Sequence, residues 1–184
     1  MKSIVVTGVP GVGKTTVGST LAKRLRCEFL EYSGFMLQAV GEADRAEIHR
    51  LSFAERLPIY RAVEVPLGEY FSDKREGYAV LTTHISIRLD GVIHKLPLEH
   101  FEAYNAAQLV IVEADPAAII ERRHKDSLRI RSVETEQEID LHQQRNRALA
   151  VEIAKHLSIK TTFVDTTLAG IDINTLADRV LPES

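Results

Sequence analysis

The chain has 184 residues, 45% of them hydrophobic and 27% charged, the composition of one folded domain rather than a disordered chain. Its formal net charge of -3 argues against a nucleic-acid binder driven by bulk positive charge. The one cysteine, Cys27, excludes an internal disulfide and a zinc site built from several thiolates, and no apolar run approaches membrane-spanning length. The apolar stretch at Ile4–Val6 ends at once in a Gly/Pro-rich loop, unlike a signal peptide, so an intracellular, cytoplasmic protein is expected.

Short apolar runs alternate with helical patterns along the chain. Ser3–Thr7 is the first expected strand. Val17, Leu21 and Leu25 then share one face of a helix, and Cys27–Tyr32 forms the second strand. Ser52 with Glu55 makes a capping-box signal before a helix over Phe53–Glu76. Pro58 and Pro66 fall inside that helix and predict a kink or break. Tyr78–Thr83 and Leu109–Glu113 are the third and fourth strands. Asp115-Pro116 places a capping acid before a proline at the first helical position. Ile139, His142, Asn146, Leu149, Ile153 and Leu157 recur every three or four residues as one long helix, and Glu134 onward is expected to be helical. Thr161–Asp165 is the fifth strand, and Ile173, Leu176 and Val180 mark a last helix. The alternation predicts an α/β fold with a five-stranded parallel sheet covered on both faces, and ligands beyond the carboxyl ends of its strands.

The most informative segment is Gly8-Val9-Pro10-Gly11-Val12-Gly13-Lys14-Thr15, which matches G-x-x-x-x-G-K-[ST] between a strand and a helix. Its glycines permit turns that aim successive amides at phosphate oxygens. Lys14 supplies a point charge to the β- and γ-phosphates, and the Thr15 hydroxyl can ligate Mg²⁺. The pattern predicts binding of a nucleoside triphosphate. It leaves the acceptor open: water makes an NTPase or switch, a small molecule makes a kinase.

Arg122, Arg123, His124, Lys125, Arg129 and Arg131 crowd into ten residues. Such a cluster suits a lid that closes donors over a transferring phosphoryl group, although cations also simply favour helix C-termini. In the long helix, polar residues His142 and Asn146, with Gln143 and Arg147 beside them, gather at one end, which suggests that this end faces a ligand. Arg147 is a candidate phosphate contact. Gly34, Phe35, Arg45 and Arg50 follow the second strand, and His84 and Arg88 follow the third; together they form a candidate second anion site. Cys27 is expected to be a small buried residue rather than a nucleophile.

These features resemble the archaeal-type adenylate kinases. The resemblance is carried by Val6–Thr15, by Gly34-Phe35-Met36-Leu37, by Thr83-His84 with Ile87-Arg88, and by Glu113-Ala114-Asp115-Pro116. It continues through Arg122, Asp126, Arg129 and Arg131 at the lid spacing, and His142-Gln143 with Asn146-Arg147. It implies a single domain over 1–184, with a monophosphate-binding insert about 33–75 and a short lid about 122–133. It also implies reversible transfer between MgATP and AMP, and a homo-oligomer, often a trimer. Residues Gly8, Val9, Pro10, Gly11, Val12, Gly13, Lys14, Thr15 and Thr16 are then expected to hold ATP. Gly34, Phe35, Arg45 and Arg88 are expected near the acceptor, while Arg122, Arg129 and Arg131 close over the transferred group. One departure stands out. The family has Asp-Thr-His after the third strand, the acid helping to organise Mg²⁺; here the residues are Thr82-Thr83-His84. Glu113 is the first candidate for a substitute carboxylate and Asp165 the second. A nucleotide-binding module with little turnover, or a kinase of another monophosphate or metabolite, remains open at this point.

Overall fold

The computed structural model describes residues 1–39, 45–73, 76–126, 133–167 and 173–180. Arg129 and Arg131 lie outside the described residues, as does the side chain of Arg45.

Among the described residues, β1 (Lys2–Thr7), β2 (Glu28–Glu31), β3 (Tyr78–Thr82), β6 (Ala106–Glu113) and β7 (Lys160–Asp165) form the parallel sheet, in the order β2-β3-β1-β6-β7. Ile4, Val5 and Val6 in β1 and Leu109 to Val112 in β6 are buried on both sides of the sheet, as expected of central parallel strands. Helices α1 (Lys14–Leu25) and α7 (Ile173–Val180) contribute Val17, Leu21, Leu176 and Val180 to the core on one face. Helices α4 (Phe53–Asp73) and α6 (Glu136–Leu157) contribute Tyr60, Val63, Leu67, Phe71, Leu149 and Ile153 on the other. The space between α1 and the sheet is set by Gly18, where a Cβ would lie 2.7 Å from the Thr82 methyl group.

Several local expectations meet their cause in the structure. Ser52 and Glu55 close the capping box at α4, with Ser52 N–H donating to Glu55 at 2.8 Å. Asp115 caps α5 (Pro116–Lys125) by accepting from the amides of Ala117 and Ala118. Helix α6 starts at Glu136 rather than Glu134, because Thr135 forms a second capping box with Glu138. Helix α4 continues through Pro58 and Pro66 without a break. Each proline removes one backbone bond, whereas the buried stripe Arg56, Tyr60, Val63, Leu67 and Phe71 anchors the helix along its length. Cys27 is half-buried and precedes β2 rather than lying buried within it, and burial pushes its thiol above its ordinary pKa.

Five elements were not expected. The stretch after β2 forms α2 (Tyr32–Ala39) and α3 (Arg45–Arg50). Strands β4 (Ser86–Leu89) and β5 (Val92–Lys95) form an antiparallel hairpin beyond the end of β3. Asp90 and Gly91 turn it with φ of 49° and 79°, the left-handed pair that suits a two-residue hairpin. Leu96 follows the hairpin with its amide bonded to the Ile85 carbonyl, and a 3₁₀ segment (Leu98–Tyr104) returns the chain to β6. Among the described residues, no helix is long and apolar enough to cross a membrane.

Candidate active site

The loop from Gly8 to Gly13 joins β1 to α1 at the carboxyl end of the sheet. Its path is dictated by close approach: a Cβ on Gly8 would lie 2.4 Å from the Val112 carbonyl oxygen, which no side chain can accept. Gly13, at φ 99°, turns the chain into the first turn of α1, whose amides point back into the loop. The Lys14 ammonium folds over the loop and donates to the carbonyls of Gly8 and Val9, both at 2.9 Å. The backbone oxygens thus hold the cation at the mouth of a ring of amides. Such a loop suits a polyphosphate.

Beside it, the Thr15 hydroxyl donates to the Glu31 carboxylate at 3.4 Å. A hydroxyl at a helix N-terminus beside a carboxylate is a pair of hard oxygen donors, and it fits Mg²⁺ bound together with nucleotide phosphates. Glu31 was not foreseen in this place.

Two consecutive arginines on α5 take different positions. Arg122 donates to the Val12 carbonyl at 3.3 Å, to the Thr166 hydroxyl at 3.0 Å and to the Thr166 carbonyl. It braces the loop against the turn after β7. Arg123 donates twice to the Pro10 carbonyl, at 3.0 and 2.8 Å, and pairs with Glu134. Arg123 therefore lies against the phosphate loop. Sequence reasoning had noted Arg123 only as one member of the cluster.

Arg88 projects from β4 and meets the same carboxylate. It lies 3.1 Å from Glu134 and 2.5 Å from Glu138. The Glu134 side chain is 4% exposed between Arg88 at 14% and Arg123 at 8%. Burial alone pushes the Glu134 carboxyl upward, but bonding and charge from Arg123 and then Arg88 outweigh it and hold it below the usual carboxylate range. One anion thus ties Arg88 of the hairpin to Arg123 of α5, which lies against the phosphate loop.

A polar cluster backs this bridge. Ser86, two residues before Arg88, donates its hydroxyl to Asn146 Oδ1 at 2.5 Å and lies 2.9 Å from His142 Nε2. A hydroxyl has one proton, so His142 donates through Nε2 and its Nδ1 is a buried acceptor without a partner among the described residues, like the Asn146 Nδ2 donor. His142 is pushed down to about 4, first by burial and further by the charges of Arg123, Arg88 and Lys14, with Glu134 opposing. The sign of its effect on stability follows. A folded-state pKa below the ordinary 6.5 stabilises the fold above pH 6.5, and this contribution is lost as pH falls toward 4. At about 1.4 kcal/mol per pKa unit, it amounts to roughly 3 kcal/mol. Denaturant unfolding of wild type and His142→Gln at pH 7, 6 and 5 is expected to show a shallower acid decline in the variant. His100, buried beside Glu64, is also lowered but is present in both proteins.

The remaining candidates divide. Gly34 in α2 borders open space, with nothing within 4 Å of a built Cβ. Phe35 packs edge-on to Tyr70 at 5.5 Å. Glu113 and Arg147, expected at the metal and at the acceptor, hold each other in a two-pronged ion pair, with Arg147 also 5.1 Å above the Phe163 ring. The cleft around them, about 780 Å³, is lined by Asp115, Asp140, Gln143, Phe163, Asp165 and Thr167 among others, and by no phosphate-loop residue. Asp165, the second carboxylate considered, accepts from Thr167 N–H and hydroxyl at 2.7 and 2.5 Å. In this structure neither carboxylate is turned to Thr15.

Comparison with known proteins agrees with this arrangement. The AAA domain family model matches residues 7–140. Adenylate kinase from Pyrococcus abyssi is 33% identical over 161 residues, covering 83% of this chain and 80% of that protein. Adenylate kinase from Methanothermobacter thermautotrophicus is 36% identical over 159 residues, covering 84% of each. Among solved structures, shikimate kinase from Acinetobacter baumannii superposes with a TM-score of 0.62 at 19% identity, covering 98% of this chain and 90% of that one. A putative kinase from Chloroflexus aurantiacus gives 0.55 at 21% identity, covering 97% and 93%. At these identities the structural likenesses speak to the fold alone.

Proposed function

This chain belongs to the adenylate kinase family, in its archaeal branch, and from that premise we propose that it transfers the γ-phosphoryl group of ATP reversibly to AMP, giving two ADP. The observation that carries the reading is the bridge Arg88–Glu134–Arg123. A cation on the hairpin and a cation on α5 that lies against the phosphate loop share one anion, so in this reading the phosphates of donor and acceptor converge where that anion sits.

Each part then has a task. The amides of Gly8 to Thr16 hold the donor phosphates, and Lys14 exchanges the carbonyls of Gly8 and Val9 for phosphate oxygens. Arg88 leaves Glu134 and Glu138 to take the acceptor phosphate. Arg123 and Arg122 sit beside the loop where charge on the transferring group is greatest. Thr15 would hold Mg²⁺, which when bound would neutralise charge across the donor phosphates. The insert about 33–75, with Gly34, Phe35 and Arg45, borders the acceptor. The resemblance also implies a lid about 122–133 that carries Arg129 and Arg131, which lie outside the described residues. A cytoplasmic homo-oligomer completes the reading.

An acceptor panel tests it. ADP formation, followed by a coupled assay, is expected with ATP plus AMP and not with ATP alone. CMP, UMP, GMP and dephosphorylated metabolites are expected to serve poorly. Faster transfer to any of these would move the assignment to that acceptor. ATP binding without transfer to any of them would leave a nucleotide-binding module.

A further inference from the structure

We propose that Glu31 supplies the metal-organising carboxylate for which position 82 offers only a threonine. The inference rests on the donor half of the reading above and not on the identity of the acceptor.

The argument begins with strand register. Strands β2 and β3 run parallel, and Glu31 is the direct partner of Thr82. Each is the last residue of its strand, so both stand at the carboxyl edge beside the phosphate loop. The Thr82 hydroxyl is used elsewhere: it donates to the Leu30 carbonyl at 3.2 Å. Its methyl group packs against α1 at Gly18, and the residue is 6% exposed. Thr82 thus fills space and offers no charge. Glu31, by contrast, is exposed and accepts from the Thr15 hydroxyl.

The separation suits the task. Neighbouring oxygens around one Mg²⁺, each at about 2.1 Å, lie about 3 Å apart. The Thr15 and Glu31 oxygens are 3.4 Å apart, so Glu31 needs only a small adjustment to reach the ion or one of its waters. Glu113 is held by Arg147 and Asp165 by Thr167. The anionic charge has moved sideways by one strand, from the end of β3 to the end of β2, while the metal keeps the same side of the cradle.

The test separates metal binding from donor binding. Isothermal titration gives ATP affinity with and without Mg²⁺, and the electron paramagnetic resonance of free Mn²⁺ gives its affinity for the protein–ATP complex. In Glu31→Gln, Mn²⁺ is expected to bind about tenfold or more weakly in that complex, the scale for partners that orient a metal. Metal-free ATP is expected to bind as well or better, because a negative charge near the triphosphate is gone. Adding Thr82→Asp to Glu31→Gln is expected to restore the Mn²⁺ affinity by returning the charge to β3. Unchanged Mn²⁺ affinity in Glu31→Gln overturns the proposal, and so does equal weakening of ATP with and without metal, which marks Glu31 as a loop support. Failure of Thr82→Asp to recover metal binding also counts against it. Absence of ATP binding by the wild type would instead remove the donor reading itself.

Discussion

Replacement of Lys14 by alanine is expected to lower kcat/KM for phosphoryl transfer by about a thousandfold, roughly 4 kcal/mol of transition-state stabilisation, the scale of removing one charge donor from a preorganised site. The reason lies in what the ammonium does before the ligand arrives. It is held over the cradle by two carbonyls, already positioned for the bridging region of a triphosphate. Removing it leaves the loop's shape in place, because that shape depends on Gly8 against Val112 and on the Arg122 brace. Thermal unfolding of Lys14→Ala should therefore stay near wild type while steady-state turnover collapses. Activity within tenfold of wild type would detach the chemistry from this loop.

Arg88→Ala is expected to act on the other substrate. The KM for AMP should rise about a hundredfold, near 2.7 kcal/mol, with the dissociation constant for ATP unchanged. Glu134 keeps Arg123 as a partner in this variant, and Glu138 keeps its capping bonds to Thr135, so neither carboxylate is stranded. This matters, because stripping a buried ion of every partner costs about 3–5 kcal/mol and would mix folding into the result. Arg88→Lys should recover only part of the loss, since an ammonium cannot present the two-pronged face of a guanidinium. A rise in the ATP constant with no change for AMP would place Arg88 on the donor side.

How legible was this in the sequence? The parallel sheet was, because most of its strands are short apolar runs separated by helical patterns, and the cradle was, because its glycines and lysine lie close together in one segment. The β4–β5 hairpin was legible in principle from Asp90-Gly91, but its four-residue strands contain Arg88, His94 and Lys95 and lack an apolar run. Arg122 and Arg123 are adjacent in sequence and about 100° apart around a helix, yet both reach carbonyls of the loop, Arg122 at Val12 and Arg123 at Pro10, which composition alone cannot show. The pairing of Glu113 with Arg147 spans β6 and α6 and depends on their packing. Glu31 was hidden for a similar reason. Only the register of β2 on β3 places it beside Thr82, and only the position of α1 brings it to Thr15.

The carboxylate of Glu134 has one more consequence. Two guanidiniums left facing each other would repel and sample many rotamers; with Glu134 between them they wait in fixed positions, so a guest need not freeze two long side chains as it docks. The same arrangement filters guests by valency. A singly charged anion such as chloride only swaps one minus for another and gains little, whereas a doubly charged phosphate ester brings more charge than the resident it evicts. In the proposed reading, the resting molecule therefore discriminates against monovalent anions ahead of any recognition of the base.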